Sequence, residues 1–424
     1  MEISPLATIR FCSLLIMGWS GLITARGGTM PNLAPAVPAQ SFAAALSPAQ
    51  WKEVEECVDH ALSWIASGQA PDGSFPTPDT PEAQPAVTSL CVLAFLSRGH
   101  QPGFGPYGAQ MDRAIDFVLS CQKEDGLFSY EAPDGPTGLQ QGFGFSRGGV
   151  SRVSTAATYD HAIAGLMLGE VFGHASAERT RQIKEAMEKA LQFTRELQTR
   201  TKEAPEDKGG WRYLRIQFSG ADSDLSVTGW HLMFLRSARN AEFNVPQKYI
   251  DEAMSFVHRC WVDDEGLFHY TTWGTQQPQY TRGLMGSAIV SLALAGQHES
   301  PQALAAGDWL LAHPYRYYGE KVGGGGRGGF NGGSDKFLYS TYYCSQAAAQ
   351  LGGRYWKGIY PPIATILVKA QEADGYFIAP DAAGGFRGGR GGGTGEAVYG
   401  PMYSTAMAVL SLTPAFQLLP VYQR

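Results

Sequence analysis

The sequence is short of charge. Asp, Glu, Lys and Arg make up 17% of its 424 residues, below the roughly one quarter usual in soluble domains. The balance is a net charge of −6, so no basic field exists to gather nucleic acid, and that class of partner is set aside. Cysteine is scarce and does not pair. There are six; Cys12 lies in an N-terminal apolar run, leaving Cys57, Cys91, Cys121, Cys260 and Cys344, an odd set without a CxxC. This argues against a disulfide framework and a structural zinc site, and suits buried helix positions. Long hydrophobic runs are also missing. The N-terminal stretch "FCSLLIMGWSGLITA" is too short and too broken by Ser and Gly for a membrane span. Placed after Arg10 and ending in small residues, it reads as an export signal, residues 1–25. Residues 26–47, rich in Pro and Ala and without helical period, read as a linker.

What is present is repetition. "QAPDGSF" at Gln69–Phe75 recurs as "QKEDGLF" at Gln122–Phe128 and "QEADGYF" at Gln371–Phe377, with relaxed copies "KGGW" at Lys208–Trp211 and "EGLF" at Glu265–Phe268. Each copy follows a stretch with apolar residues three and four apart, such as Val54, Val58, Ala61, Leu62 and Ile65, or Ile115, Val118 and Leu119. That spacing makes one helical stripe, which the motif glycine then ends. A more apolar helix follows each time, for example "AVTSLCVLAFLS" and "YSTAMAVLSL", and is expected to be buried on nearly all sides. Six such pairs, the fifth lacking a clear motif, with no polar capping repeat at the end, predict a closed ring. The fold class is therefore all-α: an α/α toroid of six helical hairpins over residues 48–424, an inner ring of helices inside an outer one.

The thrice-repeated Gln-x3-Gly-x-Phe resembles the QW-type repeat of the prenyltransferase and squalene-cyclase superfamily, including exported bacterial members of unassigned activity. In that family the Gln and the aromatic tie the ends of outer helices together. Its class II terpene cyclases carry Asp-x-Asp-Asp at the start of an inner helix, and the middle acid protonates an alkene or epoxide. In "GADSDLSVTGW" Asp222 and Asp224 match the first two acids, and Leu225 stands in place of the third. The resemblance implies a catalytic role for the pair. Read from the residues alone, Asp224 or Ser226 is a helix N-cap, and the helix dipole would lower a carboxylate pKa there. The missing third acid also removes coupling that a proton donor needs.

Tyr159, Asp160, His161, Trp230, Tyr342, Tyr343 and Tyr403 stand near inner-helix starts and are the candidate substrate-binding residues. Their aromatic faces suit isoprenoid chains, carbocations or sugar rings. The family's prenyltransferases bind zinc through Asp-x-Cys, which is absent here; His161 and Cys344 lack metal-ligand spacing, and no metal or cofactor is expected. Two Gly-rich loops, Gly323–Gly333 and Gly384–Gly393, carry Arg327, Arg387 and Arg390 and match no Walker pattern. The expectation is an exported toroid that holds a small apolar or amphipathic, isoprenoid-like ligand in an aromatic-lined central cavity, with peripheral membrane association left open. Whether cyclase- or prenyltransferase-like acid chemistry accompanies binding stays open. So do a non-catalytic scaffold and a carbohydrate-active enzyme on the same barrel.

Overall fold

Ser47 starts the first helix with a capping box. Its Oγ accepts from Gln50 N at 3.3 Å and its own N–H donates to Gln50 Oε1 at 3.0 Å, and Gly68 ends the helix. The computed structural model describes residues 42–77, 80–131, 152–214, 221–272, 280–320, 335–381 and 395–423. The proposed signal, most of the linker and both Gly-rich loops, with Arg327, Arg387 and Arg390, lie outside the described residues. Phe42 and Leu46, assigned to the linker on composition, are buried; Phe42 packs edge-on against Trp356 at 4.9 Å.

Outer helices α1 (Pro48–Ser67), α3 (Gly108–Ser120), α5 (Ala177–Thr199), α7 (Gln247–Arg259), α9 (Pro301–Ala312) and α11 (Gly353–Ala370) alternate with inner helices α2 (Ala86–Ser97), α4 (Arg152–Val171), α6 (Leu225–Asn240), α8 (Arg282–Leu294), α10 (Phe337–Leu351) and α12 (Gly400–Leu412). The outer helices bury one stripe, in α1 Val54, Cys57, Val58, Ala61, Leu62 and Ile65. The inner helices are apolar nearly all round, and every residue of α2 is buried. Each inner helix packs on the next, and α12 returns to α2, closing the ring. One two-residue hairpin, Trp261–Val262 with Leu267–Phe268, takes the place of the Gln motif after α7.

The repeat motif is the fastener. Gln69 Nε2 donates to Gly73 O (2.9 Å) and to Gln110 O in α3 (2.8 Å). Gln122 does the same with Gly126 O (3.2 Å) and Ala186 O in α5 (2.8 Å). Gln371 joins Gly375 O to Cys57 O in α1, both at 2.8 Å, and so fastens the last outer helix to the first. The fourth Gln is Gln198, whose Nε2 bridges Gly209 O (2.9 Å) and Tyr249 O in α7 (2.8 Å) across eleven residues of chain instead of four. The motif glycines are needed for two reasons. Gly73 has φ +93°, and a Cβ there would stand 2.3 Å from Arg113 O.

The motif aromatic is tied inward. Phe75 N donates to Thr88 Oγ1 (2.9 Å), Trp211 N to Thr228 Oγ1 (3.1 Å) and Phe377 N to Thr405 Oγ1 (3.0 Å). At the other end, residues after α12 cross the C-terminal ends of the inner helices. Val421 N donates to Glu170 Oε2 (3.1 Å), Asn240 Nδ2 to Pro420 O (3.0 Å) and Gln350 Nε2 to Tyr422 O (2.9 Å). The inner-helix N-termini form the opposite mouth.

Candidate active site at the mouth of the inner ring

Asp224 is the N-cap of α6, in extended conformation and wholly buried. Its Oδ1 accepts from Val227 N at 2.8 Å, while Oδ2 has no hydrogen-bond partner among the described residues. Two turns fix its backbone: Asp224 N donates to Trp211 O (3.0 Å) and Leu225 N to Tyr270 O (2.9 Å). Burial raises its carboxyl from the ordinary 3.8 to about 6, against the Arg212 charge, the cap bond, and the nearby Tyr270 hydroxyl and Ser226 N–H, which lower it. The helix-dipole effect expected from sequence is present in that cap bond, and desolvation exceeds it.

Asp222 is buried too but looks elsewhere. Its Oδ2 accepts from Glu203 N at 2.7 Å, its N–H donates to Asp207 Oδ2 at 2.5 Å, and its carbonyl takes Lys202 Nζ at 3.0 Å. The two carboxylates, one residue apart in sequence, thus engage separate structures: Asp222 the loop behind α5, Asp224 the mouth.

Half-buried tyrosines surround Asp224. Tyr159 OH and Tyr339 OH both meet Ser226 Oγ, at 3.1 and 2.8 Å, and Tyr213 OH meets Tyr270 OH at 3.0 Å. The negative charge of Asp224 adds to burial in raising the phenol pKa values of Tyr159, Tyr213, Tyr270 and Tyr339. Arg212 lies over the rings of Tyr213 and Tyr270, 5.3 and 5.5 Å from their centroids. Tyr403 stands further round the rim, donating to Glu396 Oε1 at 3.3 Å. Glu396 itself accepts from Leu338 N (3.0 Å) and Tyr339 N (2.8 Å), so it caps α10.

The other candidates lie elsewhere in the inner ring. Trp230 stacks on Tyr342 (5.6 Å, 9°) and meets Tyr343 edge-on (5.6 Å), so α6 and α10 fill the interior below the mouth with aromatic rings. Asp160 Oδ1 accepts from Ala86 N at 3.2 Å, capping α2 from the neighbouring helix; Oδ2 has no partner among the described residues, and burial holds the carboxyl well above its ordinary range. His161 occupies the place of Thr88, Thr228 and Thr405. Its Nδ1 accepts from Phe128 N at 3.2 Å, so Nε2 carries the proton shared with Thr194 Oγ1 at 2.8 Å. Burial drops its pKa to about 3. Cys344 is buried with the other four described cysteines, and its Sγ donates to Arg282 O at 3.4 Å.

Arg212, Tyr213, Tyr270 and Tyr339 were not singled out in the sequence. A signal for two of them exists: Tyr213 and Tyr270 each stand two residues after a motif aromatic, Trp211 and Phe268. Arg212 follows Trp211 directly.

A closed α/α ring with a buried acid at the start of its third inner helix defines the class. The sequence profile of the prenyltransferase alpha-alpha toroid domain matches residues 9–138 and 109–387, and the chain belongs to that family. No curated protein matches the chain. Among solved structures, a variant of the type II terpene cyclase MstE from Scytonema, in complex with geranylgeranyl dihydroxybenzoate, is 13% identical. It covers 88% of this chain and 100% of its own, with a TM-score of 0.53. An inactive variant of an alpha-1,6-mannanase from Salegentibacter, in complex with alpha-1,6-mannotriose, is 11% identical, covering 86% and 99% at a TM-score of 0.52. At such identity the likeness concerns the fold.

Proposed function

We propose that the protein binds a small ligand with an isoprenoid-like apolar chain at the tyrosine-rimmed mouth, and that Asp224 protonates it. The observation that carries this reading is the divided Asp224 carboxyl: Oδ1 held by the helix cap, Oδ2 buried without a partner among the described residues, pKa near 6. A general acid needs a proton and an oxygen to deliver it: burial raises the protonated fraction of Asp224, and Oδ2 is not committed to the helix cap. The proton passes from Oδ2 to one carbon of a C=C bond, whose π electrons form the new C–H bond and leave a carbocation on the other carbon. Tyrosine faces stabilise that cation, and Arg212 with Val227 N–H stabilises the carboxylate left behind. Ring closure by a second C=C bond moves the cation to a new carbon, and loss of a proton from an adjacent carbon to the Asp224 carboxylate then ends the sequence without net change in protons.

Similarity of fold to MstE supports the apolar-chain class, as does family membership. A sugar-processing reading needs two free acids across a groove. Among the described acids near the inner-helix starts, Glu396 is occupied by two backbone N–H groups and Asp335 by Arg282 at 2.7 Å, which leaves Asp160, half engaged as the cap of α2, as the second acid such a reading would have to use. The export signal read from the sequence places the protein outside the cytoplasm in this proposal. The test is incubation of purified protein with geranylgeraniol and related polyprenyl probes, followed by mass spectrometry and chromatography. Wild type is expected to return a cyclised or isomerised product, and Asp224→Asn to bind the probe without converting it. A wild-type protein that binds the probe and returns it unchanged is a binding protein on this barrel, and the acid role fails.

A further inference from the structure

The turn after Trp211 and the chain behind α5 enclose a cavity of about 40 Å³, with Arg200, Lys202, Arg212, Trp211, Tyr213 and Asp222 on its walls. Such a space holds about three water molecules, enough for a compact polar group and too little for a chain. Arg212 is the unusual wall. Its Nε and Nη1 are buried and have no hydrogen-bond partner among the described residues. Asp224 and the phenols of Tyr270 and Tyr213 hold it electrostatically, yet Asp224 forms no ion pair with it within 4.0 Å. Buried guanidinium donors left unmade cost free energy, which an anion would recover. Asp222, the acid on the wall, accepts from Glu203 N, and its neighbour Asp207 accepts from Asp222 N and Thr272 Oγ1. Lys202 Nζ spends one donor on Asp222 O and keeps the others.

We propose that Arg212, assisted by Lys202, receives a carboxylate-sized anionic group, so that the ligand is an amphipathic acid whose apolar chain runs from this cavity along the tyrosine rim past Asp224. The second half of that statement rests on the function proposed above; the first half does not. Arg212 and Tyr213 belong to both places, which is why the anionic end and the protonated chain lie side by side. The site is a positioning device: it fixes which C=C bond lies against Oδ2.

Calorimetric titration of the full chain with geranylgeranoic acid and geranylgeraniol tests it, alongside thermal unfolding in acetate against chloride at equal ionic strength. Wild type is expected to bind the acid about tenfold more tightly than the alcohol, the size of one charge-assisted hydrogen bond. Arg212→Gln is expected to bring the two to parity by weakening the acid alone. Arg212→Lys, a milder change should Arg212→Gln misfold, keeps the charge and part of the preference. Acetate is expected to raise the wild-type midpoint and leave that of Arg212→Gln unmoved. Equal wild-type affinities for acid and alcohol, or equal weakening of both by the variant, overturns the anion site. If neither prenyl compound binds but acetate still acts through Arg212, the chain-binding reading fails and the anion site stands. If acetate acts equally on both proteins, the anion site fails.

Discussion

Asp224 combines two duties that pull its pKa in opposite directions, and substitutions separate them. Asn keeps an oxygen for Val227 N, so Asp224→Asn is expected to unfold within about 1 kcal/mol of wild type, whereas Asp224→Ala loses the cap and about 1–2 kcal/mol. Chemical denaturation of both variants checks this, and a large loss in Asp224→Asn would show that the acid is mainly structural. Glu170 gives the companion prediction at the closed end. Burial raises its carboxyl from 4.5 to about 7, although Ser237 Oγ (2.6 Å) and Val421 N favour the ionised form. A folded-state pKa above the unfolded one means the native protein holds the proton more tightly. This contribution is full below pH 4.5 and is lost as pH rises through about 7. The displacement corresponds to about 3 kcal/mol. Glu170→Gln is expected to flatten the fall in stability between those limits, seen as a smaller difference in unfolding midpoint between mildly acidic and neutral buffer. An unchanged slope would contradict it. The sequence showed that an acid pair begins a helix, but not which acid faces the mouth. That depends on Glu203 N and on Tyr270, which reach the site from separate turns.

The helices themselves were legible because each signal is local. Apolar spacing of three and four built α1 and α3, and uniform apolarity marked α2 and α12. The fastening was half legible. Gln and Gly four apart stand out in three copies, but in the fourth an insertion separates Gln198 from Gly209 and hides the partner from any fixed spacing. His161 shows the opposite error: it attracts functional attention as a histidine, yet it serves the hydrogen bond that threonine serves in three other repeats. The glycines permit a sharp test. Gly73→Ala puts a Cβ against Arg113 O at a φ that only glycine accepts readily. It is expected to cost about 2–4 kcal/mol, far above the few tenths of an exposed loop substitution. Equilibrium denaturation measures it, and a neutral result would mean that the motif turn is not a fixed joint.

At the scale of the molecule, closure distinguishes this ring from an open stack of hairpins. In a ring the seam between α11 and α1 is one more joint, made by Gln371 as the others are made by Gln69 and Gln122. Gln371→Ala and Gln122→Ala are therefore expected to cost similar amounts, about 1–3 kcal/mol each, with a single unfolding transition retained. An open stack would fray at its ends and scarcely register the seam variant. In the sequence, closure follows from the absence of polar capping repeats, a global property read from local composition. The interior was less accessible to such reasoning, because Trp230, Tyr342 and Tyr343 meet across the ring through geometry that no spacing encodes. Beneath the tyrosines the ring holds a dry Asp224 carboxyl whose pKa burial raises. The direct measurement is a carboxyl 13C titration of Asp-labelled protein, comparing wild type with Asp224→Asn. One resonance titrating near pH 6 and missing from the variant is predicted. Loss in the variant of a resonance that titrates in the ordinary range, near 4, would contradict it.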